Sequence, residues 1–346
     1  MSAACASEPR PSRAPPRSGR IAETSWPAPS FPRAPAATGY REPMRVLVIG
    51  RGPVAHSLLS VLPEGVDAWA GLRSGADRLD VAIAPARRDG HGAVHRRSIP
   101  AIEVAGGDDP PAGSVRWDAV ITTAPPHAED LGRVLASSPD ALLAGVSQAP
   151  SDVIALRAAA AGRRWGLLVP EFLATRERPV RWWGPLGLGF AVAGSAAPGL
   201  RALIGVGART HRTGVHALLE QAALVIPVVA GFRIGGETWS GMLAEVPGIA
   251  AASVQARAAV SSLRRAPGSP FPAAAEVAAL RSGLAVALRA APAIAPVDLE
   301  VYMRSHFGHH TGQTVRMLDE WRAIGSAGGL AVDAITTLRD RFAATL

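Results

Sequence analysis

The sequence feature that most constrains the fold is a short apolar run that ends at a pair of glycines. Residues 45–49 are Arg-Val-Leu-Val-Ile, and they are followed by Gly50-Arg51-Gly52-Pro53-Val54-Ala55. A continuous apolar run bounded by glycine is typical of a central strand in a parallel sheet. The first glycine permits a tight turn, the second lets a ligand approach the backbone, and Ala55 lets a helix pack closely on the strand. Pro53 suits the first turn of that helix, where its missing N–H costs no hydrogen bond.

This order of strand, glycine turn and helix predicts a dinucleotide-binding site with the pyrophosphate at the helix N-terminus. Proteins that bind NAD place an acidic residue at the end of the second strand, where it holds the ribose 2′-hydroxyl. Here the predicted second strand, 66–72, is followed by Arg73, and Arg78 is close in sequence. An arginine at this position pairs with the 2′-phosphate of NADP, so we expect NADP(H) as the cofactor. The expected cofactor-binding residues are Gly50, Arg51, Gly52, Pro53, Val54, Ala55, Arg73, Arg78 and Thr123.

Strands and helices alternate from residue 44 to about residue 207. The pattern predicts strands at 45–49, 66–72, 81–84, 102–104, 118–123, 141–146 and 165–169, and helices at 54–62, 128–136 and 151–161. Such alternation favours a doubly wound parallel sheet. After about residue 208 the strand signals vanish, and helices separated by prolines are predicted at 214–230, 249–263, 273–290, 297–323 and 331–342. We therefore expect an α/β fold, with an N-terminal Rossmann-type parallel sheet at 44–207 and an all-helical C-terminal domain at 208–346.

Residues 1–43 contain nine prolines and almost no apolar periodicity. A segment of this composition cannot bury enough apolar surface to offset the entropy of ordering, so we expect a disordered tail. Two other interpretations stay open: translation starts at Met44, or the stretch is a transit peptide, since it is rich in Arg and Ser. The tail holds the single cysteine, Cys5, which excludes an intrachain disulfide and favours a reducing, cytoplasmic location.

The chain has a formal net charge of +8, and lysine is absent, so arginine supplies all of the Lys+Arg charge. The arginines are scattered as pairs and no aromatic stacking platform accompanies them, so a nucleic-acid partner is not expected. No apolar segment reaches the roughly 18–20 residues that span a bilayer. The best candidate, 222–231, is expected to be a buried helix. We therefore expect no membrane partner, and a small molecule as the substrate.

At the motif 44–55, at Arg73 and in the order of its two halves, the chain resembles the ketopantoate reductase family. The segment from Tyr302 to Val332 also resembles the long helix and turn near that family's C-terminus. The resemblance extends over residues 44–345. It implies reduction of a 2-keto acid by NADPH in a cleft between two domains. It also implies a lysine as general acid, nearby asparagines, and a glutamate on a late helix.

The chain departs from that family at each of these catalytic positions. Leu218 stands where the lysine is expected, and Ala222 and Ile226 stand at the asparagine positions. Gln313 falls at the glutamate position, and the turn Gln148-Ala149-Pro150 replaces a Gln-Asn-Gly sequence. The resemblance therefore implies a divergent member that acts on a different substrate, or one without redox chemistry.

Histidines are the best local replacements for the missing proton donor, because reduction of a carbonyl needs a group that stabilises the developing alkoxide. His306, His310 and Gln313 are spaced i, i+4 and i+7, which places them on one face of a helix. Tyr302 lies one turn earlier, and His216 opens the helix in which the family has its lysine. The expected catalytic residues are His310, His306, Gln313 and His216. Alternatively, the histidines mark a surface or interface kink. No Glu completes an H-E-x-x-H pattern, so no metal site is expected.

Three functional hypotheses follow from the sequence. The first is an NADP(H)-dependent oxidoreductase of specialised metabolism that transfers hydride between the nicotinamide and a carbonyl or alcohol carbon of a small molecule. The second is a non-redox protein on the same fold, either an isomerase or cyclase or an NADP(H) sensor. The third is a scaffold whose helical half forms a homodimer. Trp182 and Trp183, near the junction of the two halves, either form a wall of the cleft or pack structurally. Arg73 could also be a solvated surface arginine, and the glycine turn a structural one.

Overall fold

The structure is a computed structural model. It describes residues 42–73, 76–87, 92–104, 115–125, 128–264, 273–308 and 310–346, with the backbone alone for 128–130. The expected tail at 1–43 lies outside the described residues except for Glu42 and Pro43, which have no regular secondary structure. His309 also lies outside them. The described residues, from 42 onward, belong to one compact unit.

The strands of the described residues form one mixed sheet. In chain order they are β1 (Arg45–Ile49), β2 (Asp67–Leu72), β3 (Arg78–Pro85), β4 (His95–Glu103), β5 (Ala119–Thr122), β6 (Leu142–Gly145), β7 (Trp165–Pro170), β8 (Leu173–Ala174), β9 (Val180–Trp183), β10 (Gly189–Gly194) and β11 (Arg209–Arg212). Their order across the sheet is β11-β10-β7-β6-β5-β1-β2-β4-β3-β9-β8. The strands from β7 to β4 are mutually parallel. The order reverses between β1 and β5, which is the switch point of a doubly wound sheet.

The described residues also form the following helices. They are α1 (Pro53–Val61), α2 (Ala128–Ala136), α3 (Pro150–Ala160), α4 (Ala197–Ile204), α5 (Val215–Ile234), α6 (Trp239–Ala244), α7 (Val246–Ser262), α8 (Ala273–Ile294), α9 (Leu299–Phe307), α10 (Thr311–Ala327) and α11 (Asp333–Ala343). A parallel-dominated sheet followed by a run of helices confirms the expected α/β fold with a Rossmann-type sheet.

The alternation of side chains along β1 divides the core between the two faces of the sheet. Val46 and Val48 pack on the face that α1 and α4 cover, in one cluster with Leu58 of α1. Leu47 and Ile49 belong to the cluster on the other face, which α2, α3, α5, α7, α10 and α11 cover. Because both faces are covered, β1 is apolar along its whole length after Arg45, as the sequence pattern predicts.

Two arginines act as caps for helix C-termini, where backbone carbonyls lack partners. One Nη of Arg97, on β4, donates to the carbonyls of Leu59 and Leu62 at the end of α1, at 2.8 and 2.9 Å. Arg163 donates to the carbonyls of Leu135, Ser138 and Ala160, at the ends of α2 and α3. A cation there is also favoured by the helix dipole. Part of the chain's arginine content is therefore structural.

The structure differs from the predicted elements at several places. The sequence pattern missed β8 to β11 and helices α4 and α6, and β11 lies beyond residue 208, where strand signals were expected to vanish. β8 has two residues and β11 is mostly exposed, so neither carries a local apolar pattern. The predicted helix 297–323 is two helices, because α9 ends at Gly308. The domain boundary at 207 and 208 stays a prediction.

Two helices, α5 and α8, are long and apolar enough to cross a membrane by length and composition. The expectation that no segment reaches this length is therefore wrong by that measure. Half of the most apolar window of α5 is buried, as expected for a core helix, whereas none of the corresponding window of α8 is buried among the described residues. The segment 222–231, which lies within α5, is thus part of a core helix.

Candidate functional site

The carboxyl ends of β1 and β5 meet at the glycine turn. Gly50 follows β1 with a φ of +128°, in the region that favours glycine. A Cβ on Gly50 would lie 2.1 Å from Oγ1 of Thr123, and that hydroxyl donates to the carbonyl of Ile49 at 3.0 Å. The amide of Gly50 donates to the carbonyl of Gly71 at the end of β2, at 3.0 Å. Gly50 and Thr123 therefore form a close-packed floor at the switch point.

The N-terminus of α1 is open above this floor. A Cβ on Gly52 would meet no atom within 4 Å among the described residues. Gly52 is the N-cap of α1 and Pro53 its first residue, no side chain caps the helix, and its first turn has no acidic residue. Ala55 is fully buried against the sheet. Backbone N–H groups and the helix dipole therefore favour an anion here, and the backbone leaves room for one, so these residues fit a dinucleotide pyrophosphate.

The two arginines expected to bind the 2′-phosphate differ in their surroundings. Arg73 directly follows β2, is exposed, and has no hydrogen bond or ion pair with another described residue. Arg78 begins β3, and its guanidinium donates to the hydroxyl and the carbonyl of Ser98, at 2.8 and 2.9 Å. Arg73 is thus available to a phosphate at the end of β2, whereas Arg78 is already hydrogen-bonded.

The turn after β6 contacts the first turn of α5. Nε2 of Gln148 donates to the carbonyl of Leu218, in the first turn of α5, at 2.6 Å. Leu218 and Ala222 are both 2% exposed and belong to the core that packs under the sheet. Leu218, which stands where the resemblance implies a lysine, therefore lies beside the sheet. Its apolar side chain is packed in the core.

A partly buried ion pair, which the sequence does not predict, joins α10 to the residues after β6. The carboxylate of Asp152, near the start of α3, accepts two hydrogen bonds from the Arg316 guanidinium, at 2.9 and 2.7 Å. It also accepts one from the Ser147 hydroxyl at 2.5 Å. Glu320, one turn after Arg316, accepts from the backbone and the hydroxyl of Ser151. Asp152 and Arg316 are 164 residues apart, so no local signal links them.

Gln313 lies one turn before Arg316 on α10, the helix that the ion pair joins to Asp152 at the start of α3. His310 is the N-cap of α10 and is exposed. Its ring lies 5.6 Å from that of His306, which in turn stacks on Tyr302 at 5.1 Å. The structure therefore brings His306, His310 and Tyr302 together, although the break at Gly308 replaces the single helix that was expected.

Burial changes the pKa values in this aromatic cluster. Burial, together with the charges of His310 and Arg176, lowers the pKa of His306 to about 4. Burial also raises the pKa of Tyr302, against a hydrogen bond with the backbone of Ala174 in β8. His306 is therefore neutral at pH 7. On one side the cluster packs against α5, where Tyr302 and Val229 share a small core. On the other side it faces the β8–β9 hairpin, which contains Arg176.

His216 lies elsewhere, in the first turn of α5. Its Nδ1 is buried and has no hydrogen-bond partner among the described residues. Burial lowers its pKa, the Arg264 charge adds to this, and Glu220 opposes it. Glu220 accepts a hydrogen bond from Ser261 at the end of α7. His216 is thus close to α7 and is separate from the cluster around His306.

Three further observations concern side chains outside the glycine turn. His56 of α1 is 2% exposed, its Nδ1 has no described partner, and burial and the Arg178 charge lower its pKa. Trp182 and Trp183 lie on β9, which pairs with β3 and β8 at the sheet edge, and both are half-buried.

Among the described residues, no three His, Cys, Asp or Glu side chains are grouped so as to hold a metal ion.

The fold is similar to solved structures of reductases and dehydrogenases. The probable 2-dehydropantoate 2-reductase of Bacillus subtilis has a TM-score of 0.63 and 12% identity, over 88% of this chain and 100% of that one. D-mandelate dehydrogenase with NADH and anilino(oxo)acetate has a TM-score of 0.64 and 12% identity, over 87% and 98%. The dimeric ketopantoate reductase of Staphylococcus aureus has a TM-score of 0.60 and 11% identity, over 87% and 98%.

At these identities the likeness shows the fold, a Rossmann-type sheet with a helical C-terminal region. No known family profile matches the chain. No curated protein matches it either.

Proposed function

We propose that this chain is an NADP(H)-dependent oxidoreductase of the ketopantoate reductase type. It transfers hydride between the nicotinamide and a carbonyl or alcohol carbon of a small molecule in the crevice above β1, β5 and β6. The observation that carries the proposal is the open N-terminus of α1 beside Gly52, at the switch point of the sheet. The fold-sharing B. subtilis protein is named as a reductase, and D-mandelate dehydrogenase was solved with NADH.

The proposed binding of NADP(H) divides between the two ends of the crevice. Gly50, Gly52 and the first N–H groups of α1 hold the pyrophosphate, with Arg51, Pro53, Val54, Ala55 and Thr123 forming the turn around it. Arg73 holds the 2′-phosphate, because it is exposed at the end of β2 and has no described partner. Arg78 supports this site through its hydrogen bonds with Ser98. When bound, the cofactor supplies or accepts the hydride.

The proposed proton transfer involves the histidines and Gln313. Hydride addition to a carbonyl carbon leaves an electron pair on oxygen, and a proton must reach that oxygen. We assign this proton to His310, because the low pKa of His306 leaves that ring neutral at pH 7, without the proton that a general acid would donate. His306 and Gln313 support His310 within the crevice, and His216 is the candidate from the first turn of α5.

Location and assembly are part of the proposal. A cytoplasmic location accords with the single cysteine. A homodimer accords with α8, whose apolar surface is unburied among the described residues, and with the dimeric S. aureus protein of the same fold. A role in specialised metabolism accords with the loss of the lysine position.

A second function is favoured by one observation, the apolar packing of Leu218 and Ala222 where the resemblance implies polar catalytic groups. A site without the lysine at the Leu218 position also suits a non-redox reaction, an isomerase or cyclase step, or NADP(H) sensing. Turnover distinguishes the two functions.

The test is the loss of NADPH absorbance in the presence of the full-length chain and a panel of 2-oxo acids, ketones and aldehydes. We expect oxidation with at least one carbonyl compound, and a lower rate in His310→Ala with unchanged NADPH affinity. Tight NADPH binding without turnover of any carbonyl or alcohol would favour the non-redox function instead.

A further inference from the structure

The turn after β6 lies where the reacting end of a dinucleotide is expected. Arg73, at the end of β2, marks one side of the switch point, so a cofactor with its 2′-phosphate there extends in the opposite direction, across the ends of β5 and β6. Thr122 pairs with Gly145 at those ends, and the amide of Val146 donates to the carbonyl of Thr122 at 3.1 Å. Gln148 follows two residues later in the same turn.

The side chain of Gln148 is held firmly in this position. Its Nε2 donates to the carbonyl of Leu218 at 2.6 Å, and its backbone is continuous with Ala149, which is fully buried. On its other side, Ser147 donates to Asp152, which Arg316 holds with two hydrogen bonds. Both α5 and α10 therefore fix the turn, so the amide group is preorganised before a substrate arrives.

Unlike the neighbouring hydroxyl groups of the described residues, the Gln148 side chain has donor capacity left. The hydroxyl of Thr122 donates to the carbonyl of Ala124, that of Thr123 to Ile49, and that of Ser147 to Asp152. The amide of Gln148 has two N–H groups, and the Leu218 carbonyl accepts one of them. No other described residue accepts a hydrogen bond from the second.

We propose that Gln148 donates this second N–H to the carbonyl oxygen of the substrate, in place of the lysine that the Leu218 position lacks. This inference rests on the proposed oxidoreductase function. Hydride addition to the carbonyl carbon breaks the C=O π bond, and the electron pair moves to oxygen. The Gln148 amide stabilises that alkoxide without giving up its proton. The oxygen then takes a proton from His310, and the reduced nicotinamide is oxidised as the carbonyl is reduced.

Two substitutions of Gln148 test whether its neutral amide is the hydrogen-bond donor. Gln148→Leu removes the donor at similar size, and we expect kcat to fall about a hundredfold, as for loss of one oxyanion donor, with the NADPH Kd unchanged. Gln148→Glu keeps the size and donates only when protonated. We therefore expect its activity to rise as the pH is lowered through the titration of this carboxyl group, beyond any dependence that His310 gives the unmodified chain. The matched control is Gln221→Leu, at an exposed glutamine of α5, with kcat unchanged.

The experiment measures kcat, KM and their pH profiles for the full-length variants, with NADPH and the best carbonyl compound of the panel, and the melting temperature of each variant. If Gln148→Leu keeps kcat within threefold while the unmodified chain is active, Gln148 is not the donor and the oxidoreductase function stands. If Gln148→Glu shows the pH profile of the unmodified chain, the assignment is also wrong. An unmodified chain that reduces no carbonyl overturns both proposals.

Discussion

The glycine turn of the sheet and the start of α5 differ in what they leave available to a ligand. On the sheet side, Gly52 borders open space and Arg73 has no described partner. On the helical side, Leu218 and Ala222 are both 2% exposed, and their side chains pack in the core. The open N-terminus of α1 and the packed start of α5 depend on different elements, so the proposed nucleotide site does not require an ionisable side chain at the Leu218 position.

The first prediction uses the two glycines, which have opposite surroundings. Gly52→Val should weaken NADPH binding about a thousandfold, roughly 4 kcal/mol, because its side chain occupies the space beside the N-terminus of α1. The melting temperature should stay unchanged, because a Cβ at this position meets no described atom. Nicotinamide fluorescence and calorimetry measure the two quantities.

Gly50→Val is the matched control, and it should destabilise the fold itself. Its Cβ would lie 2.1 Å from Thr123 Oγ1, on a backbone with positive φ. Equal destabilisation by the two variants would contradict the finding that Gly50 is closely packed whereas Gly52 borders open space.

The second prediction concerns the helical wall. Leu218→Ala should lower the free energy of unfolding by about 3 kcal/mol, as for other buried leucines, while the NADPH Kd stays the same. Urea denaturation and a binding titration of the same variant measure both. A change in NADPH affinity without a loss of stability would show that this wall contacts the cofactor directly.

The third prediction separates the two arginines after β2. Arg73→Ala should weaken NADPH binding about thirtyfold, roughly 2 kcal/mol, and NADH binding hardly at all, because only NADPH carries the 2′-phosphate. Arg78→Ala should have a smaller effect, because Arg78 is hydrogen-bonded to Ser98. An equal loss for both cofactors in Arg73→Ala would remove the 2′-phosphate assignment.

The smallest expected effect is the pH dependence of folding stability that His306 causes. The pKa of His306 is about 4 in the folded chain, below the ordinary value of 6.5. Between these pH values the unfolded chain therefore binds more protons than the folded chain. Stability is therefore present above about pH 6.5 and falls as the pH is lowered towards 4, by about 1 kcal/mol between pH 7 and 5 for a partly exposed group.

Denaturation of His306→Phe at both pH values tests this, because the variant should lose that part of the dependence. The same substitution at the exposed His95 is the control. His306 faces His310, Arg176 and Tyr302. None of these described neighbours is a carboxylate that would raise the pKa of His306 and so reduce the pH dependence. An unchanged pH dependence in His306→Phe would contradict the burial of its neutral form.

The sequence predicted the central fold because its signals are local. The run 45–49 and the turn at Gly50 contain their own strand, turn and helix pattern, and the predicted helix at 128–136 has the observed bounds. The edge strands escaped prediction because β11, with the sequence Arg-Thr-His-Arg, depends on pairing with β10 and has no apolar periodicity.

The site was predictable in the same unequal way. The glycine turn and Arg73 follow from a motif, and their described surroundings accord with binding. The Asp152–Arg316 ion pair and the Gln148–Leu218 hydrogen bond join residues 164 and 70 positions apart, so only the tertiary fold reveals them. The helix of His306 and His310 was predicted as continuous because the break at Gly308 depends on packing that a spacing of i, i+4 does not encode.

The most direct test of the central claim is a titration of the full-length chain with NADPH and NADH, followed by nicotinamide fluorescence. We expect saturable binding of both cofactors, with NADPH bound more tightly than NADH because Arg73 contacts the 2′-phosphate. Absence of saturable binding of either cofactor would contradict it, and would leave the open N-terminus of α1 without the ligand proposed for it.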